Sequence, residues 1–263
     1  MTNKSLLTVT FIALFGLAAC SKSEPEGPPA AESMAEAPAD LRTLLASDSR
    51  SAEDRARDAG RKPAAIIEFL GIEPGMRVLE VIAAGGWYTE VLSLAVGPDG
   101  HVVAQNPPVI LEMREGANEK AISARLAGNR LPNVSRMNSG FEDIGAIAGT
   151  FDAAITALNF HDIYNSRGPE AALATLQAIY SALKPGGVFG IIDHAGVTGA
   201  DNAALHRIEK SLAIETAKAA GFVVDGDANI LANPADDHTQ GVFAEGLRGN
   251  TDRFVLKLRK PPE

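Results

Sequence analysis

The chain has 263 residues, of which 46% are hydrophobic and 22% are charged, a balance typical of a globular protein with a buried core. This length fits one large domain or two small ones. The formal net charge is −9 at pH 7, and no cluster of Lys and Arg stands out. Because proteins that hold nucleic acid without sequence preference depend on clustered cations, we expect no nucleic acid partner.

The first twenty residues have the pattern of an exported protein. Lys4 precedes the mainly apolar run SLLTVTFIALFGLAAC, which is short for a membrane span and ends in small residues at Cys20. The run Leu17-Ala18-Ala19-Cys20 resembles the lipobox of bacterial lipoproteins. That resemblance implies removal of residues 1–19 as a signal peptide and acylation of Cys20, which would anchor the chain to a membrane. An ordinary N-terminal anchor that contains a cysteine is the alternative.

Residues 20–40 are predicted to form an acylated, disordered tether. They are rich in Pro, Glu, Ala and Ser and show no apolar period that could form a core. An Asp after the acylated cysteine would resemble an inner-membrane retention signal, and Ser21 stands there instead. We therefore expect an extracytoplasmic, lipid-anchored protein on the periplasmic face, sorted to the outer membrane. The chain has no second cysteine, so the fold must depend on its core.

Residues 41–263 alternate short apolar runs with longer helical patterns, which predicts a parallel sheet with helices on both faces. Seven strands are expected, at Arg77–Ile82, His101–Gln105, Asn133–Met137, Asp152–Leu158, Val188–Ile192, Phe222–Asp227 and Arg253–Leu258. Helices are expected at Arg61–Leu70, Trp87–Val96, Glu112–Leu126, Pro169–Leu183 and Ala204–Ala220. Since no helix-length segment separates the last two strands, they are predicted to form an antiparallel hairpin.

Several motifs carry a family resemblance. In chain order they are VLEVIAAGGWYTEVL from Val78, QNPP from Gln105, Phe151-Asp152, NFHDIY from Asn159, LKPGG from Leu183 and NPADDHT from Asn233. Their order and spacing resemble the class I S-adenosylmethionine-dependent methyltransferases, and more narrowly a group of bacterial predicted methyltransferases. The resemblance covers about Ala52 to Lys260. It implies an α/β Rossmann-like fold with a mostly parallel seven-stranded sheet and a C-terminal antiparallel hairpin.

The resemblance also implies a binding site for S-adenosylmethionine. In the family an acidic residue ends the first strand near the ligand's ammonium, a glycine loop passes beneath the ligand, and residues after the next strands contact ribose and adenine. The corresponding cofactor-binding residues here are Glu80, Ala84, Gly85, Gly86, Asn106, Glu142 and Asn159.

The sequence departs from the family pattern at three places. Ile82 and Ala84 occupy positions where the family has glycine. A β-branched residue adopts positive φ only at a cost, so we expect the backbone of Ile82 to stay in an ordinary region or the loop to shift. Gln105-Asn106 replace the carboxylate that accepts from ribose, and Gly140 replaces an acid. A ligand-binding lipoprotein of the same fold without catalysis is therefore the alternative function.

Two His–Asp pairs follow neighbouring strands, His161-Asp162 after the fourth and Asp193-His194 after the fifth. Because loops after adjacent parallel strands lie at one edge of the sheet, the pairs are expected to be close together. His161 is predicted as a general base, with Asp162 or Asp193 orienting it or the substrate and His194 as second choice. Hydrogen-bonded loops without catalysis are the alternative for each pair.

Other features are interpreted more simply. The His and Asp residues are numerous enough to hold a divalent metal, but the local spacing of zinc motifs is absent, so no metal ligands are assigned. NPADDHT is predicted to be a turn with a structural His238, and His206 to begin a helix. The charged stretch Asp48–Lys62 is interpreted as a solvated helix face, or alternatively as a lid over the cofactor. The methyl acceptor, a small molecule or otherwise, has no recognisable code.

Overall fold

The computed structural model describes residues 40–262. The predicted signal peptide, and the predicted tether except for its last residue, lie outside the described residues. Within residues 40–262, no helix is both long enough and apolar enough to cross a membrane.

A seven-stranded sheet forms the centre of the described part of the chain. Its strands are β1 (Arg77–Val81), β2 (His101–Gln105), β3 (Val134–Met137), β4 (Phe151–Ala157), β5 (Leu183–His194), β6 (Val223–Ala228) and β7 (Arg253–Arg259). They lie in the order β3-β2-β1-β4-β5-β7-β6. Strands β1 to β5 are parallel, whereas β7 runs antiparallel to both β5 and β6. The predicted mostly parallel sheet with an antiparallel C-terminal hairpin is confirmed.

Eight helices surround the sheet in the described residues. They are α1 (Leu41–Ala46), α2 (Ala52–Arg61), α3 (Pro63–Leu70), α4 (Trp87–Val96), α5 (Pro108–Leu126), α6 (Phe160–Arg167), α7 (Pro169–Ala182) and α8 (Lys210–Ala219). Helix α5 is interrupted at residues 113–116, where the backbone leaves the helical region. Local signals explain several ends: Ser51 caps α2 by accepting from the N–H of Asp54, and Pro63 and Pro169 each begin a helix.

Successive residues of each central strand point to opposite faces, and a separate hydrophobic core forms on each face. In β1, Leu79 packs into the core beneath α6, α7 and α8, while Val78 packs into the core beneath α1, α3 and α4. In β5, Ile191 packs into the first of these cores and Ile192 into the second. This two-sided burial explains why the strands read as continuous apolar runs.

Two predicted elements near the carboxyl end of the sheet are wrong. NFHDIY is not a loop after β4, because His161 and Asp162 lie in the first turn of α6. The predicted helix Ala204–Ala220 begins only at Lys210, and His206 lies in the preceding loop with φ of 55°. That loop places the Arg207 side chain in the interior, where it is fully buried against Asp236. A helix that began at residue 204 would not have this loop conformation, which brings Arg207 to Asp236.

Candidate active site

A cavity of about 500 Å³ lies at the carboxyl ends of β1 and β4. Its size is within the usual range for small-molecule sites, about 300 to 1,000 Å³. The strand order changes direction at this point, since β2 and β3 lie to one side of β1 and β4 and β5 to the other. Open α/β sheets bind ligands at such switch points. The wall consists of residues from α2, the β1–α4 loop, α5 and the end of β4.

The β1–α4 loop forms the floor of the cavity and keeps the backbone that glycines would adopt. Ile82 and Ala84 have φ of 57° and 49°, and Gly86 has φ of 82°. Of the two alternatives expected for Ile82, an ordinary backbone region or a shifted loop, the first is therefore wrong. The Ile82 side chain is buried in the core, and a cavity remains above the loop. Non-glycine residues in this conformation cost on the order of 1 to 3 kcal/mol each.

Amide side chains from neighbouring strands offset this strain. Gln105 Oε1 accepts from the N–H of Ile82 at 3.1 Å, and Asn106 Oδ1 accepts from the N–H of Ala84 at 2.7 Å. Asn106 Nδ2 donates back to the Ala84 carbonyl at 3.2 Å, and Asn159 Nδ2 donates to the Ile82 carbonyl at 3.2 Å. Each such bond contributes about 0.5 to 1.5 kcal/mol, so the set is comparable with the strain of the loop. These amides hold the loop in its glycine-like form.

Glu80 is a buried carboxyl group on the cavity wall, at the end of β1. Burial raises the pKa of Glu80 to about 7, while the Thr89 hydroxyl, which donates to it at 2.5 Å, and then Arg125 and Arg61 act in the opposite direction. The folded protein therefore holds a proton on Glu80 more tightly than an unfolded chain. A cationic group of a ligand beside Glu80 would favour the ionised form again.

Helix α2 supplies one charged wall of the cavity through Asp54, Arg57 and Arg61. These residues share one helical face by their spacing. The guanidinium of Arg61 lies 4.6 Å from the centroid of the buried Trp87 ring. Burial and the nearby Arg57 lower the pKa of Arg61 to about 10, so it remains a cation at neutral pH. The interpretation of this helix as only a solvated face is wrong, because one side of it faces the cavity.

Arg125 of α5 joins the walls of the cavity to one another. Its guanidinium pairs with Asp54 at 2.7 Å and with Glu90 of α4, and its Nε donates to the Gly85 carbonyl at 3.2 Å. Arg130 pairs with Glu90 on the other side. Arg125 thus connects α2, α4, α5 and the β1–α4 loop around the cavity.

The two predicted His–Asp pairs meet at the carboxyl ends of β4 and β5. Asp193 and His194 were expected to follow the fifth strand, but they are its last two residues and pair with β7. His161 Nδ1 lies 2.6 Å from Asp193 Oδ1, and the backbone N–H of His161 donates to Asp193 Oδ2 at 2.7 Å. Burial would lower the pKa of His161, but Asp193 outweighs it and the pKa is raised. Burial lowers the pKa of His194 to about 3, so this ring is neutral; its Nδ1 contacts Thr251 Oγ1 at 2.7 Å.

The structure separates the predicted site residues into two groups. Of the seven predicted cofactor residues, four line the cavity: Glu80, Ala84, Gly85 and Asn159. Gly86 caps α4 behind the loop, Asn106 lies beneath it, and Glu142 is exposed on a 3-10 segment at Phe141–Ile147. Among the described residues that line the cavity, none belongs to the His–Asp pairs. Asn159 is the residue of the cavity wall closest to them in the chain.

Sequence analysis gave the contribution of α2 to the cavity only as an alternative, the lid, and missed two other features of this region. The face of α2 was visible as the spacing of Asp54, Arg57 and Arg61, whereas nothing local marked Arg125. His206 was assigned to a helix start, yet its Nδ1 lies 3.2 Å from Asp162 Oδ1. NPADDHT forms a turn as predicted, with Asp236 accepting from the N–H of His238 at 3.0 Å.

Comparison with known proteins gives one sequence relative. No family model matches the chain. An uncharacterized methyltransferase of Synechocystis is 26% identical over 127 residues, which cover 48% of this chain and 51% of that protein. The match thus spans about half the length of this curated relative.

Solved structures resemble the described fold over most of its length. An S-adenosylmethionine-dependent methyltransferase from Aquifex aeolicus has a TM-score of 0.58 at 19% identity, covering 84% of this chain and 96% of that chain. The (4+2)-cyclase SpnF also has a TM-score of 0.58, at 16% identity, covering 85% and 93%. Together with the strand order, these likenesses show that the chain has the Rossmann-like fold of the class I S-adenosylmethionine-dependent methyltransferases.

Proposed function

We propose that the chain is an S-adenosylmethionine-dependent methyltransferase. The observation that carries this proposal is the cavity at the end of β1, where buried Glu80 and the cations of α2 surround a loop with glycine-like backbone. The sequence match to a methyltransferase supports it. Fold alone would not, because one fold hosts many chemistries.

The charges around the cavity suit the amino acid end of this cofactor, which carries an ammonium and a carboxylate. Glu80 in its ionised form would pair with the ammonium, and Arg61 or Arg57 would pair with the carboxylate. The loop at Ala84 and Gly85 would lie beneath the adenosyl group.

The ribose contact expected at the end of β2 must come from elsewhere, because the Asn106 amide is used by the loop. Asn118 of α5 lines the cavity and donates from Nδ2 to the Ile110 carbonyl at 2.8 Å. Its amide oxygen is an acceptor that a ribose hydroxyl could use. The ribose would then be held from α5 rather than from β2.

A protein that binds such a ligand without methyl transfer is the second candidate. The observation that favours it is that Gln105 and Asn106, in place of the ribose carboxylate, bond to the backbone of the loop, which agrees with a changed ligand.

Calorimetric titration of the full chain in mild detergent with S-adenosylhomocysteine tests the cofactor assignment. We expect a Kd on the order of 10 µM. In Gly86→Ala the added Cβ, at φ of 82°, would lie 3.2 Å from Arg125 Cδ and 3.2 Å from Thr89 Oγ1, so binding should weaken at least tenfold. Gly75→Ala is the matched control, with φ of 84° but open space around the new Cβ and a position before β1.

Binding weaker than about 1 mM in the unaltered chain, or equal loss in both glycine variants, would contradict the assignment. To separate the two candidates, label from methyl-labelled S-adenosylmethionine should be transferred to a component of the cell envelope fraction. Ligand binding without any labelled product would favour the second candidate.

We further propose that the domain acts outside the cytoplasm, anchored through lipidated Cys20 with its methyl acceptor in or near the envelope. The support is the lipobox-like run ending at Cys20 and the Pro- and Glu-rich residues after it, all outside the described residues. Cofactor must then be available in that compartment.

Labelled palmitate in growing cells tests the anchor. The chain should take up label, and Cys20→Ser should lose it. Ser21→Asp is the control, since it should keep the label but move from the outer to the inner membrane fraction. Equal labelling of Cys20→Ser would overturn the lipid anchor.

A further inference from the structure

A cluster of three potential metal ligands lies at the start of α6, outside the cavity. It consists of His161, Asp162 and His206, which we call the His–Asp–His cluster. One ligand atom from each residue lies within 4.8 Å of the others. His161 Nε2 is 3.3 Å and His206 Nδ1 is 3.2 Å from the same oxygen, Asp162 Oδ1. It is the one such group found among residues 40–262.

The partner on the other side of His161 determines which ring nitrogen carries hydrogen. Asp193 is fully buried and accepts from His161 at Nδ1, 2.6 Å away, and at the backbone N–H. The neutral ring therefore carries a lone pair at Nε2, which lies 3.3 Å from Asp162 Oδ1. Two electron-rich atoms at this distance repel each other, and a metal ion bound to both would offset that repulsion. A carboxylate behind the other nitrogen is the usual support of a metal-bound histidine.

Two of the three distances between the ligand atoms agree with coordination of one small cation. Transition metals bind imidazole nitrogen and carboxylate oxygen at about 2.0 to 2.2 Å. Neighbouring ligands around such an ion, octahedral or tetrahedral, are then roughly 2.8 to 3.6 Å apart. Both distances to Asp162 Oδ1, 3.3 and 3.2 Å, lie in this range.

The cluster is open on one side. The His161 ring is almost fully buried, but the side chains of Asp162 and His206 are 54% and 44% exposed. The exposed Phe243 ring lies 5.1 Å from that of His206, so an apolar group borders the opening. Three protein ligands with an open position are the arrangement of catalytic zinc sites and of two-histidine, one-carboxylate iron sites.

We propose that His161, Asp162 and His206 bind one divalent transition metal ion, with Asp193 orienting His161 and at least one coordination position open. The open position would accept water or an oxygen-bearing ligand group. This use of His161 Nε2 replaces the general-base role predicted from the sequence. The proposal does not depend on S-adenosylmethionine binding.

Cobalt(II) titration of the full chain, purified without a histidine tag, stripped with chelator and free of cofactor, tests the site. We expect one Co²⁺ per chain, visible absorption bands, and displacement of cobalt by Zn²⁺. His206→Asn and Asp162→Asn should each weaken binding at least tenfold. His238→Asn is the matched control, because His238 also has positive φ (63° against 55° for His206) and also contacts a carboxylate, Asp252, at 3.0 Å.

The control variant should bind cobalt as the unaltered chain does. Far-UV circular dichroism checks that the substituted chains are folded. We expect them to fold, because the side chains of Asp162 and His206 are exposed. Binding of less than one equivalent at millimolar Co²⁺, or unchanged affinity in both cluster variants, would overturn the proposal.

Discussion

S-adenosylhomocysteine should bind the unaltered chain about tenfold more tightly at pH 8 than at pH 6, and Glu80→Gln should remove this dependence. The pKa of Glu80 is raised to about 7 by burial, so at pH 6 the empty site holds mainly the protonated acid. The ligand's ammonium pairs with the ionised form, and one pKa unit corresponds to a tenfold change. Calorimetry at several pH values measures the effect. At pH 8 the glutamine variant should bind at least tenfold more weakly.

The sign of the dependence follows from linkage. A carboxyl group whose folded pKa is raised stabilises the empty fold below its unfolded pKa of about 4.5, and this contribution is lost as pH rises through about 7. Ligand binding reverses the preference and should release a proton. Titration of the ligand itself affects the unaltered chain and Glu80→Gln equally. The difference between their pH profiles therefore reports the titration of Glu80.

Thr89→Val provides a second control for this prediction. Its hydroxyl donates to the Glu80 carboxylate at 2.5 Å and stabilises the ionised form. Without that bond the midpoint of the pH dependence should move to higher pH. An unchanged pH profile in Glu80→Gln would show that another group governs binding.

Arg207→Met should lower the free energy of unfolding by about 3 to 5 kcal/mol, the usual cost of breaking a buried ion pair on one side. Arg207 pairs with Asp236 through two bonds of 2.9 Å, and both side chains are fully buried. Its guanidinium also donates to the Ala195 carbonyl at 3.0 Å. The variant would leave Asp236 as a buried charge without its main partner.

Lys210→Met is the matched control, because Lys210 and Asp227 form an ion pair of two exposed side chains. Such pairs contribute up to about 1 kcal/mol. Urea unfolding of both variants measures the contrast. Similar losses in the two would show that the Arg207–Asp236 pair is not a central support of the loop that carries His206.

Much of the fold could be predicted because its signals are local. Helix α4 was predicted from Trp87 to Val96, where the structure has it, since Gly97-Pro98 ends the helical pattern. The antiparallel hairpin followed from the missing helix between the last two strands. Helix α6 was missed because its eight residues carry little apolar periodicity between Asn159 and Gly168. Short helices depend on tertiary packing more than on pattern.

The candidate site was predicted in part, for a similar reason. The carboxyl ends of adjacent parallel strands meet at one edge of a sheet, which was sufficient to predict that His161 and Asp193 lie close together. The role of Asn106 was not predictable from the sequence. An amide at this position could equally accept from a ribose hydroxyl or bond to the backbone of the β1–α4 loop. Its contact with the Ala84 backbone exists only once β1 and β2 are paired.

The sequence by itself determined the alternation of strands and helices, the place of the small-residue loop after Glu80, and the two His–Asp pairs at the carboxyl ends of β4 and β5. These depend on periodicity, caps and strand order, which neighbouring residues specify. Tertiary structure alone decided that Ile82 keeps a glycine-like φ, that one face of α2 closes the cavity, and that His206 reaches Asp162. Each of these depends on contacts between residues distant in the chain, whose energies become available only when the sheet and its loops are assembled.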